Sequence, residues 1–158
     1  MQKEEYKYIR NLAWDLLIDA QISSLPVSIQ SIAKLYDLEN EIDLSKTRYE
    51  NFLKLSYHIL NFFGFENNSQ NCNMLSMRVM CPLIVLKAIS VKDENELCQL
   101  TDLPYKLAAQ RFERYKMLLN RNKFELSNLE SKVLANFQSW IYLYTDSIRL
   151  IFSEALSY

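Results

Sequence analysis

The chain of 158 residues is 49% hydrophobic and 23% charged, which suits one globular domain, or one domain with an appended helix, and excludes a disordered polymer. Eighteen basic residues against nineteen acidic ones leave a net charge of −1, which excludes a whole-surface field for nucleic acid but leaves room for a local basic patch. Cys72, Cys81 and Cys98 form an odd set with no CxxC pair and read as reduced thiols, the charged start MQKEEYKYIR lacks a signal-type apolar segment, and no apolar run nears the roughly 18 residues that cross a bilayer. A cytoplasmic protein with no membrane attachment is expected, and the abundance of Asn, Lys, Ile and Tyr is the composition of an AT-rich bacterial genome.

Residues 4–20 predict an amphipathic helix, in which Tyr8, Leu12, Leu16 and Ala20 step by four beside Ile9, Ala13 and Leu17. Residues 23–26 are a connector, and Ser28 is placed to cap a short helix carrying Ile29, Ile32, Ala33 and Tyr36. The stretch DLENEIDL over 37–44 offers at most one short extended piece through Leu38, Ile42 and Leu44. A long helix follows over 45–63, with Tyr49, Phe52, Leu53, Leu55 and Ile59 inward and Phe62 and Phe63 continuing the apolar side. Gly64, the chain's single glycine, is placed to end it. After a polar loop, a helix over 70–80 has Leu75, Val79 and Met80 as its apolar side; Pro82 marks its end, and 83–89 continues as a short apolar helix.

Residues 90–124 read as short helix, tight turn and longer helix, the outline of a helix-turn-helix. The short helix spans 93–100 with Leu97 and Leu100 inward, and the turn is Thr101-Asp102-Leu103-Pro104. The longer helix spans 105–121 on a core stripe of Ala108, Phe112, Tyr115 and Leu119. Lys106, Arg111, Arg114, Lys116, Arg121 and Lys123 are opposed there only by Glu113, with Arg111, Arg114 and Arg121 on one side. Such a side fits DNA phosphates, an acidic protein surface, or a solvated face paired with nearby carboxylates. Arg111, Arg114, Lys116 and Arg121 are therefore the candidate partner-binding residues.

Residues 126–158 form one long helical pattern, opened by the capping-box pair Ser127 and Glu130. Val133, Phe137, Trp140, Tyr144, Ile148, Ile151 and Ala155 alternate steps of four and three, and Ile141, Leu143, Leu150 and Phe152 widen the stripe. That stripe fits packing on the preceding 1–126 domain or self-association of the 127–158 helix into a homodimer.

Four segments, in this order, carry a family resemblance. LPVSI with Ile32-Ala33 resembles an early "LPVDI..IA" segment, MRVMCPL continuing to Leu86 resembles "FA..LL.P", 90–124 resembles the helix-turn-helix-like segment that follows, and LSNLESKVLANF resembles "LSPLE..V..QF". Together they are similar to the ImmA/IrrE-type metallopeptidases, over most of the chain up to about Trp140. That family carries HExxH on one helix and an acidic ligand on the next, so that two histidines on one helix face hold zinc and the glutamate activates the bound water. Counted from Gly64 and Pro82, the first histidine falls on Ser56, the glutamate on Tyr57, the second histidine on Leu60 and the acidic ligand on Asn71. The resemblance thus implies a degenerate member with no metal, no cofactor and no catalysis, in which the family's small β-sheet is largely lost because 37–44 is too short to build it. Arg111 occupies the position of an arginine common in the family's segment, which implies the alternative role of bracing the helix pair through a buried carboxylate.

The expected architecture is mainly all-α, a compact multi-helix domain with a helix-turn-helix-like unit and a long C-terminal helix. His58, the single histidine, reads as an ordinary helix residue or as a displaced ligand beside Cys72 or Cys81. Family members are often encoded with mobile elements and act on helix-turn-helix repressors. The functional expectation is accordingly a pseudopeptidase that binds a transcriptional regulator without cutting it; the alternative is a DNA-binding regulator using the 90–124 unit. An enzyme with relocated chemistry has no second histidine, HxxE or GxSxG pattern to work with.

Overall fold

Helices begin where the sequence supplies a cap. The computed structural model describes residues 3–120 and 126–156, with side chains from 4 to 147 within that range. It contains α1 (Lys3–Asp19), α2 (Ile29–Lys34), α3 (Arg48–Phe62), α4 (Ser69–Met80), α5 (Leu83–Ile89), α6 (Glu94–Thr101), α7 (Tyr105–Leu119) and α8 (Asn128–Leu156). No strand occurs among the described residues, and the fold is all-α.

Ser28, Thr47, Asn68 and Asp93 each accept a first-turn backbone N–H with their side chains, at the starts of α2, α3, α4 and α6. Pro82 and Pro104 precede α5 and α7. At α8 the capping box is reciprocal: Glu130 N–H donates to Ser127 Oγ and Ser127 N–H to Glu130 Oε1, both at 3.2 Å. The segment expected to hold an extended piece is instead a 3-10 turn at Glu39–Glu41. Its half-buried neighbours Leu38 and Ile42 are drawn back to the core, and the Leu38 N–H donates to the Ala33 carbonyl at 2.9 Å.

α3 ends as its glycine requires. Gly64 lies at φ +77°, its N–H donates to the Asn61 carbonyl at 3.1 Å, and the Phe65 N–H returns to the Leu60 carbonyl at 2.9 Å. This is a Schellman motif, which satisfies the last carbonyls of the helix through a left-handed residue. A Cβ at position 64 would meet nothing within 4 Å, so the backbone conformation alone calls for glycine.

The core is built around α4 and α5. Leu75, Val79, Met80, Cys81, Ile84, Val85 and Leu86 are all at most 3% exposed. α1 and α3 pack on α4, α7 and α8 pack on α5, and α6 packs on α7. The stretch Ser69–Ile89 reaches a mean hydropathy of 1.5 over an 18-residue window, which corrects the expectation that no run approaches membrane-spanning length. It is broken between α4 and α5 at Cys81-Pro82, and 61% of that window is buried inside the protein.

α8 lies against α1 and α5 and buries Val133 and Phe137 in the core. Trp140 stacks on Tyr144 with ring centroids 5.2 Å apart, and the Tyr144 hydroxyl donates to Glu96 of α6 at 2.7 Å. Val133, Phe137, Trp140, Ile141 and Tyr144 of the C-terminal stripe therefore pack within the chain, whereas Leu143, expected to widen the stripe, is 69% exposed. The side chains of Ile148, Leu150, Ile151, Phe152 and Ala155, on which self-association would rest, lie outside the described residues.

Far-UV circular dichroism should be that of a mainly helical protein with no appreciable strand signal. Gly64→Ala should lower the unfolding free energy by about 1–2 kcal/mol in a urea titration, since an L-residue is placed in the left-handed region, whereas Gly64→Asn should cost less.

Candidate functional site

Ser56, Leu60 and Asn71 are 3%, 0% and 1% exposed, so the three positions that the resemblance assigns to ligands are interior. The Ser56 hydroxyl shares a 2.8 Å hydrogen bond with the Ser76 hydroxyl across the α3–α4 interface. Leu60 lies in the core, and its carbonyl closes the Schellman motif. The Asn71 amide donates to Glu5 Oε1 of α1 at 3.1 Å and to the Glu66 carbonyl at 2.7 Å. Tyr57 points outward at 48% exposure. The Ser56 hydroxyl and the Asn71 amide are engaged within the fold, and leucine has no donor to offer. These residues do not fit a zinc ion.

His58 faces a carboxylate of the 3-10 turn. Its Nε2 lies 3.6 Å from Glu41 Oε2, a carboxylate shared with Lys54 at 3.2 Å. Cys72 donates weakly to the Asn67 carbonyl, and Cys81 is fully buried, with its thiol pushed up to about 11 by burial. Among the described residues no group of three or more His, Cys, Asp or Glu side chains is placed to hold a metal ion.

The basic side of α7 is not one open face. Arg111 is 8% exposed, and its Nε and Nη2 both donate to the Cys81 carbonyl, at 3.3 and 3.0 Å. The expectation of Arg111 as an exposed contact is corrected. It braces α7 against the α4–α5 break, through a carbonyl rather than the carboxylate that the resemblance implied. The physical reason is that the Cys81 carbonyl lies in the core, where an acceptor without a donor is costly. Leu119, expected on the core stripe, is 47% exposed, and Arg111 takes an interior place on the helix instead. Lys116 pairs with Glu113 at 2.7 Å and lies over the Phe112 ring. Arg114 is exposed and donates to the Tyr6 hydroxyl at 3.3 Å. Arg121 lies outside the described residues.

α6 and α7 do form the expected helix-turn-helix outline, with a turn of Asp102, Leu103 and Pro104. Asp102 pairs with Arg48 at the start of α3 at 3.4 Å, and the Arg48 guanidinium also donates to the Val27 carbonyl at 2.6 Å. The turn is thereby tied to the α2–α3 region. Three carboxylates lie by the N-terminal end of α7: Glu94 accepts from the Tyr105 hydroxyl at 3.2 Å, Asp93 is beside it, and Asp102 is exposed in the turn before the helix.

Two features escaped the pattern of the sequence. Phe62 and Phe63 do not continue the apolar side of α3; they are 70% and 45% exposed. With Tyr36 they form an aromatic ledge, at centroid distances of 5.1–5.8 Å. Asp15 and Asp19 of α1 lie near it: burial first, and then these two carboxylates, raise the Tyr36 hydroxyl's pKa. The second feature is Arg78, whose guanidinium lies 4.8 Å from the centre of the Tyr6 ring and donates to the Tyr6 hydroxyl. Two adjacent phenylalanines at 100° spacing, and an arginine inside the apolar MLSMRVM, were the available signals.

No protein-family model, no characterised protein and no solved structure matches this chain.

Protein purified without chelator should contain far less than one zinc per chain. Building the motif on α3 with Ser56→His, Tyr57→Glu and Leu60→His should not create a tight zinc site. It should cost at least about 2 kcal/mol, because two imidazoles enter a dry interior. Stoichiometric zinc in the wild type, lost on His58→Ala, would contradict the assignment. Arg111→Leu should lower stability by about 1–2 kcal/mol by orphaning the Cys81 carbonyl, which appears as a fall of several degrees in Tm; Lys116→Gln should leave Tm nearly unchanged.

Proposed function

We propose that this chain is a non-catalytic regulatory protein that acts by binding another protein, a transcriptional regulator of the helix-turn-helix class, in the bacterial cytoplasm. The observation that carries the reading is the filling of the peptidase positions by structural contacts: Ser56 bonded to Ser76, Leu60 enclosed and Asn71 bonded to Glu5 and Glu66. In a degenerate ImmA/IrrE-type peptidase, such a change removes cleavage and leaves the scaffold able to hold a partner.

The surface best suited to the partner is the aromatic ledge of Tyr36, Phe62 and Phe63. Exposed aromatics at the end of a rigid helix supply contact area at small entropic cost and are frequent binding hot spots. The acidic rim of Asp15 and Asp19 complements a basic partner, and the DNA-contacting face of a transcriptional regulator is basic. Occupation of the ledge would compete with DNA for that face.

The DNA-binding alternative has less support. Asp93 and Glu94 lie beside Tyr105 at the start of α7 and Asp102 closely precedes that helix, at the end a recognition helix presents to bases, and these carboxylates would repel phosphates. Arg111 is engaged with the Cys81 carbonyl and Lys116 with Glu113. Of the expected partner-binding set, Arg114 alone is exposed among the described residues without an ion pair.

Affinity capture from the native host, with mass spectrometry, should return an intact helix-turn-helix regulator. Phe62→Ser should weaken its binding by at least about tenfold, as loss of a hot-spot aromatic does, while leaving Tm nearly unchanged. Time-dependent cleavage of the regulator, or unchanged affinity in a Phe62→Ser, Phe63→Ser variant, would contradict the proposal.

A further inference from the structure

A cleft of ≈ 380 Å³ opens where α1, α3, α4 and α7 meet, and its charged lining is entirely basic: Arg78, Arg111 and Arg114. Among the described residues, none of these three arginines makes an ion pair. Their hydrogen-bond partners are neutral oxygens, the Tyr6 hydroxyl for Arg78 and Arg114 and the Cys81 carbonyl for Arg111. The Arg78 Nε is buried with no hydrogen-bond acceptor. Burial, together with repulsion by Arg111, Arg10 and Arg114, holds the Arg78 guanidinium down at about 10 despite the opposing influence of Tyr6. At the Tyr6 hydroxyl, burial acts upward, but Arg78 and Arg114 outweigh it and the pKa is lowered. Clustered cations without a carboxylate are costly to the folded chain alone, since buried charges ordinarily require partners.

We propose that this cleft is a binding site for a small molecule bearing a phosphate group on an aromatic or apolar body, of about the size of a nucleoside monophosphate. A phosphate monoester carries about two negative charges and three acceptor oxygens, whereas a carboxylate offsets only one of three guanidiniums. Arginine forks match phosphate oxygens in pairs. The rest of the lining suits the body of such a ligand: Tyr6 and Tyr49 offer aromatic faces, and Met77 and Leu107 offer apolar contact. The volume falls within the range of ligand pockets, about 300–1,000 Å³. Arg111 and Arg114 belong to α7, and Arg78 and Tyr6 to the α4–α1 side, so the ligand ties the helix-turn-helix-like unit to the body of the domain. This inference is independent of partner binding at the aromatic ledge.

The test is isothermal titration of the full chain at low ionic strength with inorganic phosphate, adenosine 5′-monophosphate, adenosine and acetate. Saturable binding of phosphate is expected, with tighter binding of the nucleotide and neither adenosine nor acetate approaching it. Arg114→Gln, an exposed change that leaves the fold intact, should weaken nucleotide binding by about tenfold, and Arg78→Gln should remove it. If Arg78→Gln does not fold, the Arg114→Gln titration decides. The proposal is overturned by no saturable binding of either phosphate compound at millimolar concentration, by unchanged affinity in Arg114→Gln, or by acetate binding as tightly as phosphate. It is equally overturned by a single-stranded oligonucleotide that binds far more tightly than the mononucleotide, which would make the cleft part of a nucleic-acid interface.

Discussion

The α4–α5 column has to be enclosed on all sides, and the other helices are arranged to do it. Its apolar residues from Leu75 to Leu86 are sheltered by α1 and α3 on one half and by α7 and α8 on the other. The column is not a continuous helix, because Pro82 cannot continue the hydrogen-bond ladder. The break leaves the Cys81 carbonyl inside the core without a helical donor, and Arg111 supplies two. A single guanidinium from α7 thus closes the weakest point of the column and fixes where the α6–α7 unit can sit.

That solution has an electrostatic consequence. Arg111 is held in the interior by a neutral carbonyl, and Arg78 and Arg114 line the same cleft. Tyr6 is the shared acceptor of the latter two and lowers their mutual repulsion through its oxygen and its ring. Three guanidiniums thus converge on one concave site, while Lys106 and Lys116 of α7 stay exposed.

The opposite end of α3 fills its interior with structural contacts. Ser56 and Ser76 satisfy one another, Asn71 joins α1 to the 63–68 loop, and Leu60 adds apolar burial. Beside this closed interior, the helix terminates in a Schellman motif that holds Phe62 and Phe63 out in solvent against Tyr36. An exposed apolar surface of this kind at a rigid helix end has the composition of a contact surface, which is why the proposed partner is assigned to it.

Much of the helical architecture was written locally. Thr47, Asn68, Asp93 and the Ser127–Glu130 pair accept or exchange hydrogen bonds within a few residues of themselves, Gly64 adopts its left-handed turn without the cost an L-residue would meet, and most of the periodic apolar residues of α1, α3 and α5 enter the core, although Tyr8, Phe62 and Phe63 do not. These interactions span one or two turns, so the order of residues determines them. The tertiary structure alone decided the rest. Whether Arg111 faces solvent depends on a carbonyl thirty residues away, and the cleft exists only because Tyr6, Arg78 and Arg114 are brought together from three helices. Hydrophobic periodicity is blind to such pairings: it ranks a residue by its own polarity, and a buried arginine or an exposed phenylalanine is determined by what the rest of the chain places beside it.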